Sequence, residues 1–335
     1  MIFVDSLYIN NSGGLQLLKY FVSELQTRKI SFFLLADSRC QGVFDKCNNV
    51  TYMKASLWER NNFYQNNKGR FSSVLCFGNV PPLVKLDVPV YTFFHNINLL
   101  TLAETQSTTN KAVSWLKRAV FKLNKKNTDY WLVQTSNTAK ELVSRLGESS
   151  ERVLLMPFFE LPGELSDLNN VEHGEDYVFI SNYTGAKGHE ELLDAWKILH
   201  NRGLNRVLHL TVPFKCKSFC KKVMAAQEAG VKVENHGFVG YEEVMKLYRK
   251  SKAIIYPSHN ESLGLGIIEA ITAGCDVIGS DLPFIHAVCK PSMVFNPYSA
   301  ESIANSVIEY EHNNTPKSEL LIENKISELV KLLLP

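Results

Sequence analysis

An alternation of short apolar runs with helical stretches, interrupted once and then resumed, restricts the fold more than any other feature of this chain. Ile2–Ile9, Ser31–Ala36, Val74–Phe77, Val90–Phe94 and Trp131–Gln134 read as buried strands. Leu15, Leu18, Val22 and Leu25 share one face of a helix over Leu15–Gln26, and another helix opens near Ser136, where Ser136 and Asn137 are candidate caps. Residues 160–175 then bring Pro162, Gly163, Gly174 and several acids, a linker composition. The pattern restarts with strands at Tyr177–Ser181, Leu208–Val212, Val231–Glu234, Ala253–Tyr256 and Asp276–Gly279. Helices are expected over His189–Asn201, Ser218–Ala229, Tyr241–Lys250, Gly266–Ala273 and Ala300–Glu311. Strands that alternate with helices build parallel, doubly wound sheets. Two such α/β domains in series are expected, with a cleft between them, and ligands outside the carboxyl ends of the strands.

Length agrees with this division, because 335 residues exceed one ordinary core and suit two. The net charge of +2 hides an asymmetry. Residues 1–160 are basic and the remainder acidic, so the halves should meet different partners. The seven cysteines are scattered and odd in number, which points to free thiols rather than a disulfide framework or a zinc set. The opening residues MIFVDSLYINNSGG lack the charged and apolar regions of a signal peptide, and no run of about 18 apolar residues exists to span a bilayer. A cytoplasmic protein is expected, with peripheral contact to the inner membrane face left open.

The densest chemical signal is Tyr256-Pro-Ser-His-Asn-Glu261-Ser-Leu-Gly-Leu-Gly-Ile-Ile-Glu269, continuing through Ala273-Gly274 to Ser280-Asp281. It begins at a strand end. Gly264 and Gly266 let backbone N–H groups approach a ligand, and the helix that begins there attracts phosphate. Glu261 lies in the loop, and Glu269 is expected on the first helical turn. Both carboxylates can then accept hydrogen bonds from hydroxyls of one ligand. Either glutamate alone reads as a solvated acid beside a capped helix; the whole string does not.

The string resembles the Glu-x7-Glu signature of the family 4 retaining glycosyltransferases. That resemblance implies the GT-B fold, two Rossmann-like domains facing a cleft. The first domain would be an acceptor-binding domain over 1–160 and the second a nucleotide-sugar-binding domain over 161–315. A terminal helix in 316–335 would return to the first. It implies that Glu261 lies beside the donor sugar, that Glu269 binds the ribose, and that Gly264, Leu265 and Gly266 line sugar and diphosphate. Ile180-Ser-Asn-Tyr-Thr-Gly-Ala-Lys187-Gly188 looks like the family's Gly-Arg-Leu-x-x-x-Lys-Gly motif, with Lys187 in the place of the phosphate-binding lysine. Asn182 stands where the family has arginine and brings no charge. Ser12-Gly13-Gly14 is similar to the family's N-terminal Gly-rich loop. His95, at the end of Tyr91-Thr-Phe-Phe-His95-Asn96, matches a histidine near sugar and acceptor, and Asn79 ends a neighbouring strand.

The resemblance implies transfer with retention, with Glu261, His95 and Lys187 as catalytic residues and no covalent intermediate required. The donor would be a UDP- or GDP-sugar, and the acceptor a saccharide, expected to be lipid-linked, of bacterial O-antigen or capsule assembly. No Asp-x-Asp occurs, so neither metal nor other cofactor is expected, and helix dipole and lysine must balance the diphosphate. The alternative is a sugar-nucleotide-binding, non-catalytic subunit of a glycosyltransferase complex, which Asn182 favours. Residues 111–126 carry Lys111, Lys117, Arg118, Lys122, Lys125 and Lys126 without an acid, interleaved with Trp115 and Phe121. This stretch reads either as a membrane-surface helix or as a core helix with a solvated basic face. Nucleic acid is excluded as a partner for want of a binding motif. Ser318–Leu334 is expected to be one amphipathic helix.

Overall fold

The computed structural model describes residues 1–10, 12–96, 119, 121–161 and 174–335. They form two compact units, one of residues 1–160 with 323–335, the other of residues 161–322. The chain divides after Glu160, and the tail departs from the expected 316–335.

In the first unit, β1 (Ile2–Ser6), α1 (Ser12–Thr27), β2 (Phe32–Asp37), β3 (Val50–Met53), α2 (Leu57–Asn66), β4 (Ser73–Cys76), β5 (Val90–Phe93), β6 (Tyr130–Val133), α3 (Ser136–Leu146) and β7 (Val153–Leu155) follow one another. The strands lie in the order β3-β2-β1-β4-β5-β6-β7, and every pairing is parallel. Every residue of β1, β2, β4 and β5 is buried, as expected of a sheet covered on both faces. One core joins Phe3, Phe33, Leu35, Tyr64 and Phe71; another joins Phe94, Phe121, Trp131 and Leu142. Helix α3 is capped by Thr135, whose Oγ1 accepts from Thr138 N at 3.2 Å, and not by Ser136 or Asn137. The extended backbone of Thr135 suits a cap, whereas Ser136 is already helical.

The second unit repeats the plan. Its elements are β8 (Asp176–Phe179), α4 (His189–Asn201), β9 (Leu208–Leu210), α5 (Lys217–Glu228), β10 (Val233–Asn235), α6 (Tyr241–Lys250), β11 (Ser251–Tyr256), α7 (Leu265–Thr272), β12 (Asp276–Ser280), α8 (Pro283–His286), β13 (Cys289–Lys290), β14 (Met293–Phe295), α9 (Ala300–His312) and β15 (Glu319–Leu320). The sheet runs β10-β9-β8-β11-β12-β14, again parallel, and β13 pairs antiparallel with β15. In each sheet the connections reverse direction once, between β1 and β4 and between β8 and β11. Those are the points at which doubly wound sheets bind ligands.

The terminal helix is α10 (Ile326–Leu333), shorter than the expected Ser318–Leu334. Residues 316–322 stay with the second unit because Asp276 holds them. Its carboxylate accepts from Ser318 N at 3.0 Å and from Lys317 Nζ at 2.9 Å, and Ser318 Oγ accepts from Val277 N at 2.8 Å. Only 323–335 return to the first unit, where Ile326, Leu329, Val330 and Leu333 are buried. All seven cysteines are free thiols, as expected. Among the described residues no helix is long and apolar enough to cross a membrane. The stretch 111–118 lies outside the described residues. Of the remainder, Phe121 packs against Phe94 and Trp131 in the core, and Lys125 Nζ is 3.4 Å from a carboxylate oxygen of Glu148. That part follows the core-helix reading.

Candidate active site

In the second unit, the loops after β8 and β11 meet at the switch point. The backbone N–H of His259 donates to the carbonyl of Ala186 at 2.8 Å. Gly188 lies in the left-handed region, φ +67°, and a Cβ there would collide with the Pro257 carbonyl, so only glycine lets the two loops approach so closely. Ser280 Oγ bonds the carbonyls of Tyr256 and Ser258 at 3.0 and 2.8 Å, which anchors the loop at its strand.

This stapling brings Lys187 and Glu261 together. Lys187 Nζ donates to Glu261 Oε1 in an ion pair, and the Tyr256 hydroxyl donates to the same oxygen at 3.0 Å. The two side chains keep only 24% and 15% of their accessible surface, so water screens the pair poorly. Tyr256 is buried, and burial followed by the Glu261 charge drives its hydroxyl well above the ordinary tyrosine range. It stays a donor at any working pH. The motif displayed Tyr256 only as a strand end. Its inward orientation at the end of β11 is what makes it part of the site.

Helix α7 starts on Gly264, which is left-handed at φ +74° and offers no side-chain cap. The first N–H groups of the helix, those of Leu265 and Gly266 among them, are thus left for a ligand. A Cβ on Gly266 would lie 3.1 Å from the Tyr248 hydroxyl, so this residue keeps the helix close to its neighbours. Glu269 sits on the second turn, not the first as expected, because the helix begins one residue earlier than the apolar pattern suggested. Among the described residues its carboxylate has no hydrogen-bond partner, and burial raises its pKa to about 7. Near neutrality it is half protonated, and hydroxyl donors from a ligand would favour its ionised form. Asn182 is exposed beyond β8.

His189, directly after Gly188, was not singled out by sequence. It is 2% exposed, lies 4.8 Å centroid to centroid from Phe179, and burial lowers its pKa to about 4. It is a neutral packing residue under the Lys187 loop.

In the first unit, Gly13 and Gly14 lie inside the first turn of α1, not in a loop before it. Without side chains they still leave N–H groups of a helix start open. A Cβ on Gly14 would lie 3.4 Å from His95 Nε2. Asn79, left-handed at φ +68°, accepts from His95 N through Oδ1 at 2.7 Å, and its Nδ2 is 3.3 Å from His95 Nε2. With Oδ1 fixed by the backbone N–H, Nδ2 faces the ring, so Nε2 is the acceptor and the proton is assigned to Nδ1. Burial lowers the His95 pKa to about 4, so the ring is neutral at pH 7. Beneath this site Arg60 is buried: Nε bonds Asp5 Oδ2 at 2.6 Å, and its two terminal nitrogens bond the carbonyls of Val80 and Pro81 at 2.7 and 3.0 Å. Arg60 thereby fixes the loop that carries Asn79. Gly13, Gly14 and His95 are brought together in one unit, and Lys187, Glu261, Gly264, Leu265, Gly266 and Glu269 in the other.

Two doubly wound sheets, the second with a lysine, two glutamates and an uncapped helix start at its switch point, define the GT-B class of α/β proteins. Residues 165–328, just under half of the chain, match the family described as glycosyl transferases group 1. Over 150 residues it is 27% identical to the serotype-specific mannosyltransferase WbdA of Escherichia coli. The match takes in 43% of this chain and 18% of that protein, so the chain spans under a fifth of that relative's length. The O-antigen chain mannosyltransferase RfbU of Salmonella typhimurium is 34% identical over 74 residues, 22% of this chain and 21% of RfbU. Among solved structures, Anabaena HepE in complex with UDP and glucose superposes with a TM-score of 0.65 at 14% identity, over 94% of this chain and 90% of its own. Sucrose-phosphate synthase of Thermosynechococcus elongatus gives a TM-score of 0.69 at 14% identity, over 93% and 90%. At such identity these likenesses establish the fold alone.

Proposed function

We propose that the protein is a retaining glycosyltransferase that moves a hexosyl group from a nucleoside diphosphate sugar to a saccharide hydroxyl. The observation that carries this reading is the convergence of Lys187 and Tyr256 on one oxygen of Glu261 at the second switch point. As the glycosidic bond to the diphosphate breaks, positive charge develops on the sugar and negative charge on the leaving phosphate. Glu261 supports the first and Lys187 the second, in a poorly screened site where fixed charges act strongly. The N–H groups opening α7 hold the diphosphate, and Glu269 accepts from the ribose hydroxyls. His95 is neutral and its Nε2 lone pair is taken by Asn79 Nδ2, so it is suited to shape the site rather than to supply charge. No step calls on a metal ion.

The names of WbdA and RfbU favour mannose as the sugar and O-antigen assembly as the setting, and the acceptor we propose for it is a lipid-linked saccharide. Peripheral contact with an anionic membrane surface would go with that setting, which sedimentation with anionic against neutral vesicles tests. The enzyme reading is tested by incubating the protein with a panel of labelled UDP- and GDP-hexoses, GDP-mannose first, and a lipid-linked acceptor. Product of the same anomeric configuration as the donor, read by NMR and formed equally in chelator, is expected. A second reading rests on Asn182, which lacks the arginine's charge: a non-catalytic subunit that binds the donor for a partner. Donor binding without transfer or hydrolysis, for every donor of the panel, would establish that reading and overturn the first.

A further inference from the structure

Away from the donor motif, three side chains of the edge strands converge. His209 lies on β9, Glu234 on the edge strand β10, and His236 one residue beyond it. His209 and Glu234 are register partners and His236 follows Glu234 by two, so all three project from one sheet face. His209 Nδ1 and His236 Nε2 share a hydrogen bond of 3.0 Å, and a bound metal ion would take the place of the proton between them. Glu234 Oε2 is 3.5 Å from the first and 4.0 Å from the second.

A triangle with these sides has a centre about 2.1 Å from each corner, which matches Zn–N and Zn–O bonds of about 2.0–2.2 Å. Two nitrogens and a carboxylate oxygen also form a donor set suited to zinc, with one position left for water. A further observation is independent of the triangle. The other nitrogen of His209, Nε2, faces Asp176 Oδ2 at 3.5 Å. Asp176 is itself held, accepting from Val207 N through Oδ1 at 3.3 Å. A carboxylate on that side of the ring favours the proton on Nε2, which would leave the Nδ1 lone pair for the metal position, as outer-shell partners of metal-bound histidines do. His209 is largely enclosed, with 12% side-chain exposure.

We propose that His209, Glu234 and His236 form a binding site for a zinc-class divalent cation, with Asp176 as the group that orients His209. The ion would tie β10, an edge strand of only three residues, to β9, and through Asp176 to β8. It would therefore stiffen the sheet edge of the donor domain and uses no residue of the donor motif.

The test is calorimetric titration of ZnCl₂ into the full chain, freed of any affinity tag and stripped by chelator. Visible absorption with CoCl₂ reports the ligands. One zinc per chain is expected, with a cobalt spectrum of nitrogen and oxygen ligation and a rise in Tm on adding zinc. His209→Ala and His236→Ala should weaken binding more than tenfold, and Asp176→Asn by about 10–100-fold. Glu234→Gln, at a mostly exposed position, keeps the test decisive where a histidine variant fails to fold. Its affinity should also fall. No binding by the wild type, unchanged affinity in Glu234→Gln or the histidine variants, or binding removed instead by replacing the two partly exposed thiols, Cys216→Ser with Cys220→Ser, would overturn the proposal.

Discussion

Lys187 and Glu261, 74 positions apart in sequence, close on each other as an ion pair at the switch point of the second sheet. The pair couples the two family motifs that the sequence displays separately. The lysine that would hold the leaving diphosphate is positioned by the carboxylate that would face the sugar.

Kinetics of single variants should separate these roles. Lys187→Ala should lower kcat by about 10²–10³-fold, the scale for losing one preorganised group that stabilises developing charge. Glu261→Ala should also act mainly on kcat. Glu269→Ala should act mainly on the donor KM, because ribose contacts are equal in ground and transition states. Steady-state rates with the donor found by the panel decide this, and unchanged constants in all three variants would remove these residues from the site.

Glu269 gives the site a pH signature. Its pKa of about 7 means that the ionised, hydroxyl-accepting form is scarce at pH 6 and dominant at pH 8. Donor Kd should therefore fall by roughly tenfold from pH 6 to pH 8, in proportion to the competent fraction. In Glu269→Gln it should be flat over that range. Stability follows the same group with the opposite trend. The folded state holds the proton between the ordinary value of 4.5 and about 7. The stability this gives is fully present below 4.5 and is lost as pH rises through 7. Thermal unfolding should then show Glu269→Gln gaining Tm over the wild type at pH 8 and little at pH 4.5. Parallel pH profiles for both proteins would contradict this.

The paired α/β plan was legible because buried parallel strands leave continuous apolar runs, as in Ile2–Val4 and Ala253–Tyr256. Helix α2 was not, since its polar residues lack a clear apolar face. Its Ser56-x-x-Glu59 start was nevertheless a readable capping signal, and Ser56 Oγ accepts from Glu59 N at 3.3 Å. The residues proposed to hold the donor stand together in one sequence motif, but the Tyr256 contact and the Asn79–His95 pair depend on where strands end in space. Spacing along the chain cannot convey that. The tail was misread because the apolar pattern of 318–334 is continuous, whereas the bonds of Ser318 to Asp276 and Val277 are long-range.

Arg60 offers a test of the first unit's loop. It is 2% exposed, paired with Asp5 and bonded to two carbonyls beside Asn79. Arg60→Met leaves the Asp5 charge buried with fewer donors, and removing one partner of a buried pair costs about 3–5 kcal/mol. Urea unfolding should show a loss of that size. The Asn79–His95 contact should loosen with it, read as a shift of the His95 ring resonances. A loss under about 1 kcal/mol would mean that the pair is not buried in solution.

Lys187 and Tyr256 spend their bonds on the same oxygen of Glu261, so their contributions cannot be independent. With either donor gone, the other still serves Oε1. With both gone, a poorly hydrated carboxylate is left without these donors, and hydrogen bonds to charged groups are worth about 1.5–3 kcal/mol each. The double variant Lys187→Ala with Tyr256→Phe should therefore lose more stability than the two single variants together, by about 0.5–3 kcal/mol. Denaturant unfolding of the four proteins at pH 7 measures this directly. Additivity within about 0.3–0.5 kcal/mol would show that the two donors act on separate groups, and the convergence on Glu261 would then carry no energetic weight.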